Sequence, residues 1–146
     1  MSVHMRVRDR MTEKPVTVDA GWPVKKAYEL MRESGLRRLP VLSDGKLVGI
    51  ITDRDVRTLA TASKVASFEK RYHNFLMEQM LISQAMTPEP RCVEPDTDLE
   101  DAAGVLLEIK VGGLPVVEDG RLVGIITETD LLVALVDLLR ARASAD

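Results

Sequence analysis

Two nearly identical stretches decide how this chain folds: LVGIITDRD at residues 47–55 and LVGIITETD at residues 122–130. They lie 75 positions apart, and the same offset aligns residues 11–56 with residues 86–131 without a gap. Of the 46 aligned positions 18 are identical, and 12 of these identities fall between positions 39 and 55. A repeat of this length indicates two copies of one structural unit.

Composition limits the class of protein. The chain has 146 residues, of which 45% are hydrophobic and 3% aromatic, so we expect an aliphatic core. The formal net charge of −3 gives no general preference for nucleic acid or for an anionic membrane. The single cysteine, Cys92, cannot form an internal disulfide, which is typical of a reducing compartment and favours a cytoplasmic location. No apolar run approaches the roughly 20 residues that a membrane span needs.

Hydrophobic periodicity predicts the order strand, helix, strand, hairpin, strand, helix in the first copy. The strands are predicted at residues 15–18, 39–42 and 47–52. Ala27, Leu30 and Met31 form the apolar stripe of the helix between the first two strands. The third strand is apolar throughout, so we expect it to be buried on both faces.

The second copy predicts the same order of elements. Val93 lies on its first strand, a helix follows at residues 99–108, and the last two strands are at residues 114–117 and 122–127. An Asp-Gly pair separates the last two strands in both copies, which is the strongest short signal for a hairpin. A final helix is predicted from Asp130 to about Arg142.

Residues 58–85 connect the copies. Apolar residues at helical spacing in the second half of this segment predict an amphipathic helix: Phe68, Tyr72, Phe75, Leu76 and Met80. Two interpretations are open. Either the helix packs only on its own unit, or it forms part of an interface with a partner, which methionine-rich helices suit.

Each third strand ends in a threonine with an aspartate three residues later: Thr52 and Asp55, then Thr127 and Asp130. Threonine suits the N-cap of the following helix, and the carboxylate completes a capping box without any ligand. Alternatively the short aspartate faces outward and accepts hydrogen bonds from the hydroxyls of a ribose. The threonine hydroxyl and the free amides of the first helical turn would then face a phosphate. The residues alone leave both interpretations open.

The repeat resembles the CBS domain (named after cystathionine beta-synthase), present here as the tandem pair called a Bateman module. The resemblance rests on Met-Thr at residues 11–12 and 86–87, on Leu-Pro-Val at residues 39–41 and 114–116, and on the Gly-x-x-Thr-x-x-Asp motif of both copies. Within the family, the stand-alone layout and the stretch GGLPVVEDG resemble acetoin-utilisation B-type proteins.

The resemblance implies an α/β fold in which two CBS units (β-α-β-β-α) pack pseudo-symmetrically, with an amphipathic helical linker. The implied boundaries are a lead-in at residues 1–10, the first unit at 11–60, the linker helix at 61–85 and the second unit with its C-terminal helix at 86–146. It also implies a regulatory protein that binds AMP, ADP or ATP as a ligand, with no obligatory cofactor. S-adenosylmethionine or a dinucleotide is the alternative ligand.

In the family, each nucleotide site takes its ribose and phosphate contacts from one copy and its base-binding wall from the other. Carried over, the Asp55 site comprises Ile50, Thr52, Arg54, Asp55, Thr87, Arg91, Cys92, Val111 and Gly112. The Asp130 site comprises Thr12, Val16, Thr17, Leu36, Arg37, Ile125, Thr127 and Asp130.

The two sites are not expected to be equal. Arg54 in the first copy corresponds to Thr129 in the second, and a guanidinium beside the phosphate adds charge-assisted contacts. The Asp55 site is therefore expected to prefer a ligand with more phosphate charge. The alternative is that Arg54 is a solvated surface arginine.

Enzymatic activity is not expected. His4 and His73 have no partner at catalytic spacing, and no metal-ligand cluster appears. Cys92 lies on or beside a predicted buried strand, where a cysteine is usually a small hydrophobe. No reader helix for nucleic acid is visible. A ligand-free interaction scaffold remains the alternative to a nucleotide sensor.

The expected partners are an adenosine nucleotide, an effector protein that is regulated in trans, and a second copy of the chain. The family resemblance implies a homodimer formed by helical faces. Here the helices that start at Asp53 and Asp130 are expected to form it, with Leu131, Leu132 and Leu135.

Overall fold

Two β-hairpins, one in each copy, organise the structure, which is a computed structural model that describes residues 4–61 and 69–145. Both hairpins turn through an Asp-Gly pair in the left-handed region, with φ of 51° at Asp44 and Asp119 and 77° at Gly45 and Gly120. Positive φ at both central residues defines the type I′ turn, whose twist matches that of the flanking strands. The predicted hairpins are confirmed.

The elements follow one another after a 3₁₀ turn at Val7–Asp9. In chain order they are β1 Thr12–Glu13, β2 Val18–Asp19, α1 Val24–Ser34, β3 Arg38–Ser43, β4 Lys46–Thr52, α2 Asp53–Thr61, α3 Glu69–Gln79, α4 Ile82–Ala85, β5 Thr87–Pro88, α5 Leu99–Ile109, β6 Gly113–Glu118, β7 Arg121–Thr127 and α6 Glu128–Ala145. Within the described residues, no helix is long and apolar enough to cross a membrane.

The chain divides into two compact units, each built around one hairpin. The first-copy unit is Val16–Pro90, and the second-copy unit is Met1–Pro15 together with Arg91–Asp146. The sheet of the first-copy unit has the order β2-β3-β4-β5, and that of the second-copy unit has the order β1-β7-β6. In the first-copy unit the edge strand β5 runs antiparallel to β4. In the second-copy unit the edge strand β1 runs antiparallel to β7.

Each of these two edge strands belongs to the segment that leads into the other copy. Thr12 on β1 lies opposite Ile125 on β7, and Thr87 on β5 lies opposite Ile50 on β4. The segment that leads into each copy therefore completes the sheet of the other copy. The sequence boundaries at residues 11 and 86 follow the repeat, whereas the compact units exchange these short segments.

The lead-in to the first copy is built into the second-copy unit. Val7 is fully buried there, and its amide donates to the carbonyl of Thr97 at 2.9 Å. The carbonyl of Met5 accepts a hydrogen bond from the amide of Leu99 at 2.8 Å. An ion pair of 2.6 Å joins Arg8 to Asp96.

Aliphatic side chains fill both cores, as the composition predicts. Ile51 and Ile126 at the centre of the two third strands are fully buried. The rest of the first-copy core is Val18, Val24, Ala27, Met31, Leu39, Val41, Val56, Met77 and Ile82. The rest of the second-copy core is Val7, Val93, Leu99, Ala102, Leu106, Leu114, Val116 and Ala134.

The prediction for the first strand is wrong in its boundaries. The strand covers Val18 and Asp19, which pair in parallel with Val41 and Leu42, and does not extend over residues 15–17. Within the described part of the chain the ladder with β3 stops at Val18, so residues 15–17 do not pair with β3.

Over its described residues 69–85, the connecting segment is two helices and not one. Met80 and Leu81 interrupt it, because the carbonyl of Met80 accepts from Val24 at 2.8 Å and the amide of Ile82 donates to Trp22 at 2.8 Å. These bonds hold the backbone in an extended bridge instead of a helix.

The buried face of α3 also differs from the prediction. Met77 is buried in the first-copy core, whereas Phe75 is 56% exposed. Phe68 lies outside the described residues. The helix therefore packs on its own unit through Met77, and a role in a partner interface stays a hypothesis.

Candidate nucleotide site

A reciprocal pair of hydrogen bonds closes the start of α2. The amide of Asp55 donates to Thr52 Oγ1 at 3.1 Å, and the amide of Thr52 donates to Asp55 Oδ2 at 2.9 Å. This is a capping box, with threonine at the N-cap and aspartate at the third helical position. Both side chains are half-buried. The box uses only Oδ2, so Oδ1 remains available to accept hydrogen bonds from a ligand.

The start of α6 has the same box with one further bond. The amide of Asp130 donates to Thr127 Oγ1 at 3.3 Å, and the amide of Thr127 donates to Asp130 Oδ2 at 2.9 Å. In addition, the hydroxyl of Thr127 donates to Asp130 Oδ2 at 3.0 Å. This bond engages the hydroxyl proton of Thr127, whereas the box at Thr52 leaves its hydroxyl proton for another acceptor.

The first-turn amides are less free than the sequence predicts. At α2 the amide of Asp53 donates to the carbonyl of Arg37 at 2.7 Å, and at α6 the amide of Glu128 donates to Gly112 at 3.0 Å. The third amide of each turn donates to its threonine, so only part of the first-turn amides is free. Within the described residues, the amides of Arg54 and Thr129 are the first-turn amides without such a bond; that they face a phosphate stays a prediction.

The glycine of each Gly-x-x-Thr motif is required by close packing. A Cβ on Gly124 would lie 2.8 Å from Met11 Sδ and 2.9 Å from the carbonyl oxygen of Thr12. On Gly49 it would collide with Met86 Sδ and lie 2.9 Å from the carbonyl oxygen of Thr87. The Met-Thr pair and the glycine of the opposite copy are thus one structural feature. Their joint recurrence at the 75-residue offset was the signal in the sequence for this contact.

The structure brings together part of each predicted site. In the first-copy unit, β4, the start of α2 and β5 carry Ile50, Thr52, Arg54, Asp55 and Thr87. In the second-copy unit, β1, β7 and the start of α6 carry Thr12, Ile125, Thr127 and Asp130.

The predicted base-binding walls belong to the opposite units. Arg91, Cys92, Val111 and Gly112 are in the second-copy unit, and Val16, Thr17, Leu36 and Arg37 are in the first-copy unit. That each wall meets the site of the other copy stays a prediction.

Exposure separates the predicted apolar contacts into two groups. Ile50 and Ile125 are buried, whereas Val16 and Leu36 are each 42% exposed and Val111 is 38% exposed. Side chains of the second group are accessible to a ligand, and the two isoleucines contribute mainly to packing.

The expectation that Cys92 is buried is wrong. Its side chain is exposed, because only Val93 after it enters the parallel bridge with Val116. Partial desolvation by neighbouring atoms nevertheless raises the pKa of the Cys92 thiol above its ordinary value. Arg54 is exposed as well, as both of its interpretations require.

The fold and this repeated site define a pair of CBS domains. The model of the CBS domain matches residues 7–61 and 82–137. The chain belongs to the CBS-domain family.

Similar proteins are found in plants and bacteria. The chloroplastic CBS domain-containing protein CBSX1 of Arabidopsis thaliana is 37% identical over 88% of this chain, which spans 60% of the length of CBSX1. An acetoin utilization protein (AcuB) from Vibrio cholerae has a structure that matches with a TM-score of 0.79, 28% identity and 99% coverage of both chains.

Two similar structures contain adenosine compounds. CBSX2 of Arabidopsis thaliana in complex with AMP is 35% identical, with a TM-score of 0.77, and the match covers 90% of this chain and 97% of that one. The CBS domain pair of protein MJ0100, in complex with 5′-methylthioadenosine and S-adenosyl-L-methionine, is 25% identical, with a TM-score of 0.76 and coverage of 91% and 97%.

Proposed function

We propose that this chain is a regulatory, non-catalytic module that binds AMP, ADP or ATP at the Thr-x-x-Asp end of each third strand and thereby controls a partner protein in trans. The observation that carries the proposal is the repeated box, which presents a carboxylate and a threonine at a helix start in both copies. The AMP complex of CBSX2 supports an adenosine ligand.

The chemistry of the box suits a nucleoside phosphate. The Oδ1 atom of Asp55 accepts hydrogen bonds from the ribose hydroxyls, while Oδ2 keeps the helix capped. The amide of Arg54 and the hydroxyl of Thr52 face the phosphate, assisted by the positive end of the helix dipole.

The two sites are proposed to differ in their preference for phosphate. Thr52 retains a hydroxyl proton to donate, and Arg54 adds a cation at the same turn. Thr127 already donates to Asp130, and the residue beside it is the neutral Thr129. The Asp55 site therefore favours ATP or ADP, and the Asp130 site favours AMP.

One specific observation favours the scaffold alternative. Both boxes form from residues of the chain itself, so neither helix needs a ligand to be capped. If the chain is a sensor, S-adenosylmethionine is the alternative ligand, which the complex of the MJ0100 CBS domain pair supports.

Calorimetric titration with AMP, ADP, ATP and S-adenosylmethionine tests the proposal. Asp55→Asn and Asp130→Asn are each expected to abolish binding at one site, because the amide removes the charge that the ribose hydroxyls recognise. The matched control is Asp53→Asn, which changes a carboxylate in the same turn that pairs with Arg57 and has no part in the box.

The outcomes separate the proposal from its alternatives. Stepwise loss in the two variants, with normal binding by Asp53→Asn, supports two nucleotide sites. If only one of the two variants loses binding, the box of the other copy is a helix cap and not a nucleotide site. No heat with any ligand, on folded protein free of carried-over nucleotide, overturns the sensor and supports the scaffold.

We also propose that the chain acts as a homodimer in the cytoplasm. The helices that begin at Asp53 and Glu128 remain the proposed surface, although Leu131 is half-buried and packs on the core of its own unit. Ligand binding regulates the partner only if the ligand prefers one of two states of the module. A monomer in light scattering at micromolar concentration would overturn the dimer.

A further inference from the structure

Two methionines at corresponding positions of the repeat, Met11 and Met86, close over the glycines of the two motifs. Each directly precedes an edge strand, Met11 before β1 and Met86 before β5. The sulfur of Met11 lies 2.8 Å from the place where a Cβ on Gly124 would be, and the sulfur of Met86 would collide with a Cβ on Gly49. Each sulfur therefore occupies the space that a missing glycine side chain leaves on the adjacent strand.

The edge strands β1 and β5 are short, and their own side chains do not enter the core. Each strand contains two residues, both of them exposed. Each forms two residue pairs with its neighbour, which is β7 for β1 and β4 for β5. By contrast, Met11 and Met86 pack on the cores of their units. The methionine that precedes each edge strand is therefore its apolar anchor.

The side chains of the two anchors are accessible to a small oxidant. Met11 and Met86 are half-buried, whereas Met31 and Met77 in the first-copy core are 7% and 3% exposed. Hydrogen peroxide converts a thioether to a sulfoxide. One peroxide oxygen forms a bond with the sulfur, the O–O bond breaks, and water leaves. The sulfur loses two electrons, which reduce the peroxide, so no further reactant is needed.

A sulfoxide does not suit either position. The reaction turns a flexible apolar side chain into a polar one. Against the core and the glycine backbone, a polar oxygen without a hydrogen-bond partner is costly. Space is also lacking, because the carbonyl oxygens of Thr12 and Thr87 already lie 2.9 Å from the same two Cβ positions. The modified side chain is accommodated most easily when it moves out to solvent, and the edge strand then moves with it.

We propose that Met11 and Met86 are paired sites of reversible oxidation, and that a sulfoxide at each position detaches the edge strand that follows it. Thr12 and Thr87, the next residues along the chain, are predicted nucleotide contacts. Oxidation of each methionine therefore also lowers nucleotide affinity at the site to which the neighbouring threonine belongs. This second consequence rests on the function proposed above, whereas the loosening of the strands does not.

Peroxide treatment of the whole chain tests the proposal in a Cys92→Ser background, which removes a thiol that also reacts. Mass spectrometry of peptides is expected to find sulfoxide at Met11 and Met86 before Met31 and Met77. The amides along the β1–β7 and β4–β5 ladders are then expected to exchange with deuterium about tenfold faster. Methionine sulfoxide reductase is expected to restore the slow exchange.

Matched variants locate the effect. Met11→Leu with Met86→Leu keeps apolar side chains of similar volume, so peroxide should no longer change the exchange of the ladders. Met11→Gln with Met86→Gln introduces polar groups without an oxidant and is expected to speed the exchange. The control is Met5→Leu with Met80→Leu, which replaces two other half-buried methionines that correspond in the repeat and pack on the cores. This control is expected to remain sensitive to peroxide.

Three results would overturn the proposal. Met11 and Met86 would oxidise no faster than the buried methionines, sulfoxide at both positions would leave the exchange unchanged, or the control pair would remove the sensitivity. Failure of the proposed function is a different result. If oxidation loosens the ladders while calorimetry finds unchanged nucleotide affinity, the oxidation sites stand and the nucleotide contacts of Thr12 and Thr87 are wrong.

Discussion

Replacement of Gly124 by alanine should destabilise the protein through a backbone that lies too close. The added Cβ would be 2.9 Å from the carbonyl oxygen of Thr12 and 2.8 Å from Met11 Sδ. Favourable contacts between heavy atoms lie at about 3.5–4.0 Å, so β1 must move by roughly half an ångström or more from β7. Overpacking of this kind costs about 1–3 kcal/mol.

Urea and thermal unfolding measure this cost. For a chain of this size, about 2 kcal/mol lowers the melting temperature by roughly 4–8 °C. The matched control is Gly104→Ala in α5, where a Cβ has no atom within 4 Å. Because alanine is the better helix former, this control is expected to stabilise the protein by about 0.5–1 kcal/mol.

A second variant separates the side-chain contact from the backbone contact. Adding Met11→Ala to Gly124→Ala removes the clash with Sδ but not the clash with the carbonyl oxygen of Thr12. The double variant is therefore expected to remain less stable than Met11→Ala alone. An unfolding midpoint for Gly124→Ala equal to that of the wild type would refute the argument that β1 requires a glycine on β7.

Three further predictions follow from the site and from the lead-in. Thr52→Ala and Thr127→Ala should each lower the free energy of unfolding in urea by about 0.5–2 kcal/mol without any nucleotide, because each removes a helix cap. An unchanged unfolding midpoint would show that the threonine does not stabilise the helix as a cap. Arg54→Ala should weaken ATP binding by calorimetry more than AMP binding, and an equal loss for both ligands would contradict the phosphate preference. Hydrogen bonding and charge from Arg8 hold the pKa of Asp96 below its ordinary value. The stabilisation from this pair is therefore present above the unfolded pKa of about 4 and is lost as the pH falls through the lowered pKa, so wild type and Asp96→Asn should converge in acid melts; a gap that widened in acid would contradict this assignment.

Local chemistry explains the elements that could be predicted. The Asp-Gly pairs determine the turns, since two positive φ angles are needed there, and the apolar stripe at Ala27 and Met31 determines the buried face of α1. The capping boxes were also visible, because a Thr-x-x-Asp spacing lies within one helical turn. The spacing did not decide whether the box also binds a ligand, since the same two residues suit a helix cap and a ligand site.

Long-range contacts explain the elements that could not be predicted. The break at Met80 depends on hydrogen bonds to Trp22 and Val24, more than fifty positions earlier. The predicted apolar stripe includes Met80, and no glycine or proline marks the break locally. The exposure of Cys92 likewise depends on where the bridge between Val93 and Val116 begins.

The sequence by itself determined the two copies, their hairpins, their aliphatic cores and the paired Thr-x-x-Asp motifs. Each of these features depends on residues that are close to one another along the chain. Only the tertiary structure decided that Thr12 pairs with Ile125, 113 positions away, and that Gly124 is small because Met11 and Thr12 cross it. A short strand carries little information about its partner. Its pairing is selected by which sheet edge is open and by the close approach that a glycine on that edge allows.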